Sequence, residues 1–376
     1  MLNQYAIYIR NNAGTFRDRL IDVTELSIVE AYNDVGSWSV KSTTAATCPF
    51  RGGDGIVIYR NGAYYYSGVL TEVKETYDGY TGLYTWTASG QNELTYLARR
   101  IVYPNPASLN PNAGTYYTDS GTLGAVVKRL IDKNIGPDAV TERQLAFLDE
   151  VEIQDAGASV SVSLRFQTLL EAVRKLLTEQ NYTLRAEWDG DTKKLRYIVH
   201  DTADLSSLTV FSSALNQITE TEYSLSAPQN YILSGGQGEL SARAFASAQD
   251  DASIAEWGRI EYFHDMRADS AAEIQADANA YLRQTAEENV GWAAEVNADD
   301  INARYKRDWN IGDIVGVAMQ DRTIIQRVLQ VETSVSYDSE TVKPTIGSID
   351  RGTFDVIFSR LTRMRSDVNQ LQWVSN

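Results

Sequence analysis

Trp309-Asn310-Ile311-Gly312-Asp313-Ile314-Val315-Gly316-Val317, followed by a turn at Gln320 and Asp321 and a second apolar run from Thr323 to Val331, is the stretch on which the fold turns. A near-copy lies in the first hundred residues. There Gly53-Asp54-Gly55-Ile56-Val57-Ile58 leads through Asn61-Gly62 into a returning run from Tyr64 to Val73. Gly-Asp opens both stretches, and Val-Leu follows sixteen positions after the glycine in both, at Val69-Leu70 and Val328-Leu329. β-branched and aromatic runs on either side of a turn dipeptide predict a β-hairpin in each case, with Asn-Gly the stronger turn signal. Two hairpins in a β-rich chain can match by coincidence. The alternative is an internal duplication, which would put two related β-barrels in one chain.

The remaining strands and helices group around these hairpins. At 376 residues the chain is long enough for two or three domains, and 43% apolar residues suffice to bury their cores. Residues 1–100 read as all-β: Tyr5, Ile7 and Ile9 alternate with smaller or polar neighbours, then come Leu26, Ile28 and Val29, Trp38 and Val40, the first hairpin, and Tyr84 to Thr87. Pro104, Pro106 and Pro111 mark a connector, because each removes a donor and biases its predecessor away from helix. Beyond it Leu123, Val126, Val127, Leu130 and Ile131 share one helical face that ends at Gly136-Pro137. Thr168 and Glu171 form a capping box ahead of Leu169, Leu170, Val173, Leu176 and Leu177. Strands at Tyr182 to Trp188 and Lys194 to Val199, joined through Asp189-Gly190-Asp191, complete an α/β insert over 101–205. A second β-rich body is expected over 206–260 and 290–351, interrupted by a helical region at 261–289 that a second capping box, Ser270 with Glu273, opens. The predicted fold class is therefore α+β and β-rich, with two tube-like β-barrel domains, an α/β insert and a C-terminal helix.

That last helix spans 352–376. Phe354, Ile357, Leu361, Met364, Val368 and Leu371 are spaced as a heptad seam and are the candidate trimer interface. So short a seam is marginal alone, and an amphipathic helix docked on its own chain is the competing reading. In a parallel pairing Arg360 would face Arg365, a like-charge contact. Trp373 falls on the outside of the heptad and is a candidate docking anchor for a partner at the tip, since aromatic side chains carry much of an interface's energy.

A net charge of -16 and a pI near 4.7 argue against a grip on nucleic acid, which needs Lys and Arg to neutralise phosphates. The single cysteine, Cys48, requires no oxidising compartment. The first twenty residues lack a secretory pattern, and no apolar run reaches the ~20 residues of a membrane span. A soluble protein assembled in a cytoplasm, without a membrane anchor, is the expectation. Little chemistry is legible. Gly235, Gly236 and Gly238 lack phosphate-loop spacing and read better as a bent strand or a close backbone approach. Acidic neighbours such as Asp149, Glu150 and Glu152, Asp250 and Asp251, or Asp299 and Asp300 read as solvated surface rather than as a glycosidase pair. His200 and His264 have no partner at metal spacing, and Asp189-Gly190-Asp191 lacks the rest of a calcium loop. No catalytic residue, metal site or cofactor is expected.

Several of these segments, in order, resemble a family of tail hub proteins of long-tailed phages and prophages, related in fold to the central baseplate hub of contractile phages and to the N-terminal hub region of tail-associated lysins. The segments are Thr168-Leu169-Leu170-Glu171, Asp204-Leu205 leading to Val210-Phe211-Ser212, the strand from Asn230 to Gly238, the Trp309 to Asp313 signature and the terminal Arg360-Leu361 helix. The resemblance covers the chain from about residue 160 onward and, more loosely, the N-terminal β region. It implies a non-enzymatic virion protein at the distal end of the tail, forming a homotrimeric ring in which two tube-like barrels per chain give pseudo-sixfold symmetry. Implied partners are a distal tail protein hexamer, the tape-measure protein and a tip or receptor-binding protein, with DNA passing through the lumen. An acidic lumen would let phosphate slide rather than bind. The ring-building residues expected are Gly53, Asp54, Val69, Gly312, Asp313 and Val328. Many relatives continue into a lysin or fibre region, whereas this sequence stops at Asn376, so wall-degrading or receptor-binding activity is not carried over from the resemblance, and any such activity is expected in a separate protein. The alternative function is a carbohydrate-binding or carbohydrate-active tail protein acting on the host wall.

Overall fold

The computed structural model describes residues 3–347, apart from 149–152, 154–155, 190–191, 213–220, 237, 239, 266–270, 287–288, 295, 298–302 and 319–322. The heptad seam Phe354 to Leu371, Trp373, the Gln320-Asp321 turn, the Ser270 cap, and Asp149, Glu150, Glu152, Asp299 and Asp300 thus lie outside the described residues. The chain divides into two compact units, Met1–Thr219 with Glu295–Pro344, and Glu220–Ala294 with Thr345–Asn376.

The first unit starts with seven antiparallel strands: β1 (Tyr5–Arg10), β2 (Phe16–Arg19), β3 (Val23–Ala31), β4 (Asp34–Thr44), β5 (Gly55–Arg60), β6 (Ala63–Asp78) and β7 (Leu83–Asn92), laid side by side in the order β3-β4-β7-β6-β5-β1-β2. Successive side chains of a strand point to opposite faces, and in β5 both faces are covered. Ile56 and Ile58 join Ile7, Ile9, Leu26, Ile28, Trp38, Val40, Phe50 and Trp86 in one core. Val57, between them, packs into another core with Val69 and the helices that follow. Burial on both faces is why this strand reads as an unbroken apolar run rather than an alternation.

A short α1 (Thr95–Ala98) follows, and the insert then supplies β8 (Tyr117–Thr122), α2 (Leu123–Asn134), β9 (Ser159–Leu164), α3 (Leu169–Glu179), β10 (Tyr182–Asp189) and β11 (Lys194–Asp201), after which β12 (Val210–Phe211) returns to the strands. Leu123, Val126, Val127, Leu130 and Ile131 are fully buried on one face of α2. The capping box forms: Glu171 N donates to Thr168 Oγ1 at 3.2 Å and Thr168 N to Glu171 Oε2 at 3.1 Å. Asp189 Oδ1 accepts from Thr192 N at 3.1 Å. A buried ion pair within the first 100 residues, which the sequence reading missed, meets the insert at Trp188. Arg10 Nη2 lies 2.9 and 3.0 Å from the two Glu93 oxygens, its guanidinium is 4.7 Å from the Trp188 ring, and neither charged side chain is more than 1% exposed.

The second unit contains β13 (Thr221–Ser226), β14 (Tyr231–Gly235), β15 (Phe245–Gln249), α4 (Asp251–Trp257), β16 (Glu261–Asp265), α5 (Ala271–Ala286) and β17 (Asn289–Ala294). β13 pairs with β17, which pairs in turn with residues Thr345 to Gly347. β14 lies between β15 and β16, and Ile274 and Ala278 of α5 are fully buried. Back in the first unit, β18 (Val296–Asn297), β19 (Ile314–Ala318) and β20 (Thr323–Ser336) precede β21 (Glu340–Gly347), whose end is the Thr345 to Gly347 segment of the second unit. β20 lies between β3 and β21, and β19 pairs with β20 and β12. The protein is thus β-rich with helices, as expected, but its sheets are open and no closed barrel is formed among the described residues.

Candidate functional site

Both hairpins form, and their entrances are built alike. In the first, Arg51 to Asp54 is a turn in which Asp54 N donates to Arg51 O at 3.1 Å while Asp54 Oδ2 accepts from Arg51 N at 2.7 Å. In the second, Asp313 N donates to Asn310 O at 3.2 Å and Asp313 Oδ2 accepts from Asn310 N at 2.8 Å. The third residue of each turn is a glycine with positive φ, Gly53 at 84° and Gly312 at 91°, a backbone that a side chain would strain. Each aspartate then receives the returning strand through its carbonyl: Leu70 N donates to Asp54 O and Val328 N to Asp313 O, both at 2.9 Å. Both carboxylates are buried, and each has one more partner, Arg17 for Asp54 and the Ala203 amide, at 3.0 Å, for Asp313.

These bonds match Val328 with Leu70, not with Val69 as the sequence alignment had it. The cause is a bulge. Ile58 pairs with Tyr66 but Tyr59 with Tyr64, so Tyr65 is an extra residue in β6 that shifts the rest of the strand by one position. Val69 instead sits opposite Gly55, buried under the insert. The first hairpin closes through Asn61 and Gly62 with φ of 52° and 82°, the two left-handed residues of a type I′ turn. The match extends beyond the hairpins. β3, β4, β5, β6 and β7 occur along the chain in the same order as β13, β17, β19, β20 and β21, and their lateral orders, β3-β4-β7-β6-β5 and β13-β17-β21-β20-β19, are the same. Two five-strand units of identical connectivity and matched turns are the structural form of the repeat seen in the sequence.

The approach to the second turn is latched onto β3 within the first unit. Trp309, fully buried, donates Nε1 to Ala303 O at 2.8 Å, and Tyr305 OH and Lys306 Nζ reach the same Glu30 oxygen at 2.8 and 3.0 Å. Lys306 also donates to Tyr65 O at 2.6 Å. Burial pushes Tyr305 well above its ordinary range, with Glu30 adding to the effect, and pushes the Lys306 ammonium down against the pull of Glu30. Nothing local in the sequence signalled this latch, since its partners lie far apart in the chain.

Other chemistry-bearing residues have structural roles. Gly235 and Gly236 turn their carbonyls toward Arg243, which donates to them at 2.9 and 2.8 Å. A Cβ on Gly235 would stand 2.9 Å from the Arg243 guanidinium carbon, so the glycines there serve a close approach, not a phosphate. Ser234 Oγ and His264 Nδ1 reach one oxygen of Asp277 at 3.0 and 2.6 Å. The serine's hydrogen goes to the carboxylate rather than to the imidazole, and the three residues tie α5 to β14 and β16. His200 is held below its ordinary value by burial, with Arg185 contributing. Among the described residues no group of three or more His, Cys, Asp or Glu is placed to hold a metal ion, and no helix is long and apolar enough to cross a membrane.

The fold is one seen in phage and prophage tail proteins. It is similar to the 43 kDa tail protein of prophage MuSo2 from Shewanella oneidensis, with a TM-score of 0.61 at 12% identity over 91% of this chain and 98% of that one. It is also similar to a tail protein from Neisseria meningitidis MC58, with a TM-score of 0.58 at 14% identity over 92% and 96% of the two chains. Prophage tail protein gp18 from Listeria monocytogenes EGD-e gives 0.56 at 11% identity over 95% and 99%. Residues 6–348 match the family of Siphovirus ReqiPepy6 Gp37-like proteins, and the chain belongs to that family. No curated protein matches it.

Proposed function

We propose that the chain is the structural hub of a phage tail tip: a homotrimer whose two tube-like units per chain make a pseudo-sixfold ring between the hexameric tail tube and threefold tip components. The observation that carries this reading is the second copy of the Asp54 turn at Asp313, set in a second five-strand unit of the same connectivity. Two such units in each of three chains supply the six that a sixfold tube requires. In this reading Gly53, Asp54, Val69, Gly312, Asp313 and Val328 hold the ring-building hairpins in shape. The tube-like domains are residues 1–100 and 206–260 with 290–351, and 101–205 is an insert on the ring. The partners are a distal tail protein hexamer, the tape-measure protein and a tip or receptor-binding protein. DNA passes through the lumen without specific binding, at the distal end of the virion tail. The protein is not an enzyme. The heptad residues Phe354, Ile357, Leu361, Met364, Val368 and Leu371 close the trimer, and Trp373 docks the tip partner.

The test is the solution mass of the full chain by light scattering over a range of concentration, beside a truncation ending at Gly352. The expected mass is three times the 41.9 kDa chain. Weaker association of the truncated chain supports closure by the C-terminal seam, and unchanged association moves the contacts to the β units. A single-chain mass at every concentration overturns the trimer. Trp373→Ala is expected to weaken binding of the tip partner without changing the mass; unchanged binding removes the docking role.

A further inference from the structure

Of the strand edges that lack a neighbour among the described residues, two belong to the repeated strands and correspond to edges the repeat elsewhere fills. β6 is paired with β7 from Gly68 to Asp78 but with β5 only as far as Val69, so one side of Glu72–Asp78 carries no strand, and every residue from Thr71 to Asp78 is exposed. β13 pairs with β17 on one side and with no strand on the other. A free edge presents a row of backbone donors and acceptors ready for another strand, and neither segment contains a proline to blunt it. The side chains along the β6 edge, Glu72, Lys74, Glu75 and Asp78, keep it soluble until a partner arrives.

The repeat shows what belongs on that edge. After the one-residue shift from the Tyr65 bulge, Glu72–Asp78 corresponds to Gln330–Ser336 of β20. That segment is not free: it pairs antiparallel with β3, from Gln330 opposite Ala31 to Ser336 opposite Glu25, and Tyr32 N donates to Leu329 O at 2.8 Å. So the second repeat receives on this edge the first strand, β3, of the first repeat. By the matched order the equivalent first strand of the second repeat is β13, whose outer edge is free in the way that β3 is engaged.

We propose that copies of this chain join by adding β13 of one copy to the Glu72–Asp78 edge of β6 in the next, repeating between chains the β20 to β3 contact made within each. The contact is antiparallel, because the intrachain one is. It is heterologous, using a different patch on each copy, and such head-to-tail contacts close into rings when the rotation between copies permits. The proposal rests on the hub reading for the number of copies and names the contact that builds the ring. Intrachain and interchain junctions then alternate, two for every chain.

Cysteine pairs test it in the full chain, with Cys48→Ser as background. One set of variants carries a single cysteine at positions 72 to 78 on β6, and another a single cysteine at positions 221 to 226 on β13, so that both faces and several registers are sampled. Mixed under mild oxidation, matched variants should form a disulfide between the two different chains. Chains carrying both cysteines should give covalent species that stop at the closed ring. A trimer by light scattering with no such cross-link at any pair overturns the edge contact and leaves the hub reading standing; a single-chain mass throughout overturns both. Glu75→Pro and Thr76→Pro give a second readout. Backbone N–H groups of consecutive residues point to opposite edges, so one variant damages the pairing with β7 and lowers the melting temperature. The other should keep the melting temperature of the single chain and lose the trimer. Retention of the trimer by that variant overturns the proposal.

Discussion

Asp313→Ala measures what the repeated turn contributes. The carboxylate accepts from Asn310 N at 2.8 Å and from Ala203 N at 3.0 Å, and Asp313 is 7% exposed. Alanine removes both acceptors; the half-buried Asn310 amide loses its protein partner at about 1–3 kcal/mol, while the amide of the exposed Ala203 can turn to water at little cost. The expected loss is therefore about 1–3 kcal/mol, read as a lower urea midpoint at unchanged slope for the first unit. Asp54→Ala removes the acceptor of the Arg51 amide and the carboxylate partner of Arg17, which keeps its bond to Pro49 O at 2.7 Å. Because that arginine is partly exposed, its ionic share is small, so the two substitutions should agree within about 2 kcal/mol. Hydrogen exchange adds a local readout: the Ala203 and Asn310 amides should lose protection in Asp313→Ala and keep it in Asp54→Ala. A loss below about 0.5 kcal/mol in either variant would refute the claim that the turn is held by its carboxylate.

The two glycines of the turns should respond unequally to alanine. At Gly53 a Cβ meets nothing closer than 3.5 Å, so Gly53→Ala costs only backbone strain of about 1–2 kcal/mol, whereas at Gly312 the Cβ falls 2.3 Å from Thr183 Oγ1 and the midpoint drop should be clearly larger. Arg10→Met leaves Glu93 charged and buried and should cost about 3–5 kcal/mol; Arg10→Met with Glu93→Leu should recover most of it, and a double variant as unstable as the single would contradict the desolvation account. Burial lowers the His200 pKa in the folded protein, so the unfolded chain takes up the proton first as pH falls through 6.5. Stability should decline from there until the lowered folded value is passed, and then level off. His200→Gln should flatten that part of the melting-temperature profile between pH 7 and 5, and a profile identical to the parent's would exclude the effect.

The hairpins, the helical faces and the Thr168 cap were legible because their signals are local. Alternation, the Asn61-Gly62 dipeptide and a capping residue three positions from its glutamate each act within a few residues. The repeat was legible for the same reason, down to Gly53-Asp54 and Gly312-Asp313, since equal turns demand equal residues at the positive-φ and side-chain-capped positions. Its alignment was off by one on the returning strand, because the Tyr65 bulge is decided by how β6 pairs with β5 and leaves no mark in composition. Arg10 with Glu93, 83 positions apart, and Glu30 with Tyr305 and Lys306, about 275 apart, could be found only once strand order brought them together. A charge is buried only where a distant partner compensates its desolvation. The same holds for the free edge of β6. Sequence marks Glu72–Asp78 as a strand, but which of its two sides lacks a neighbour is a property of the sheet, set by where β5 ends, and only the tertiary structure decides it.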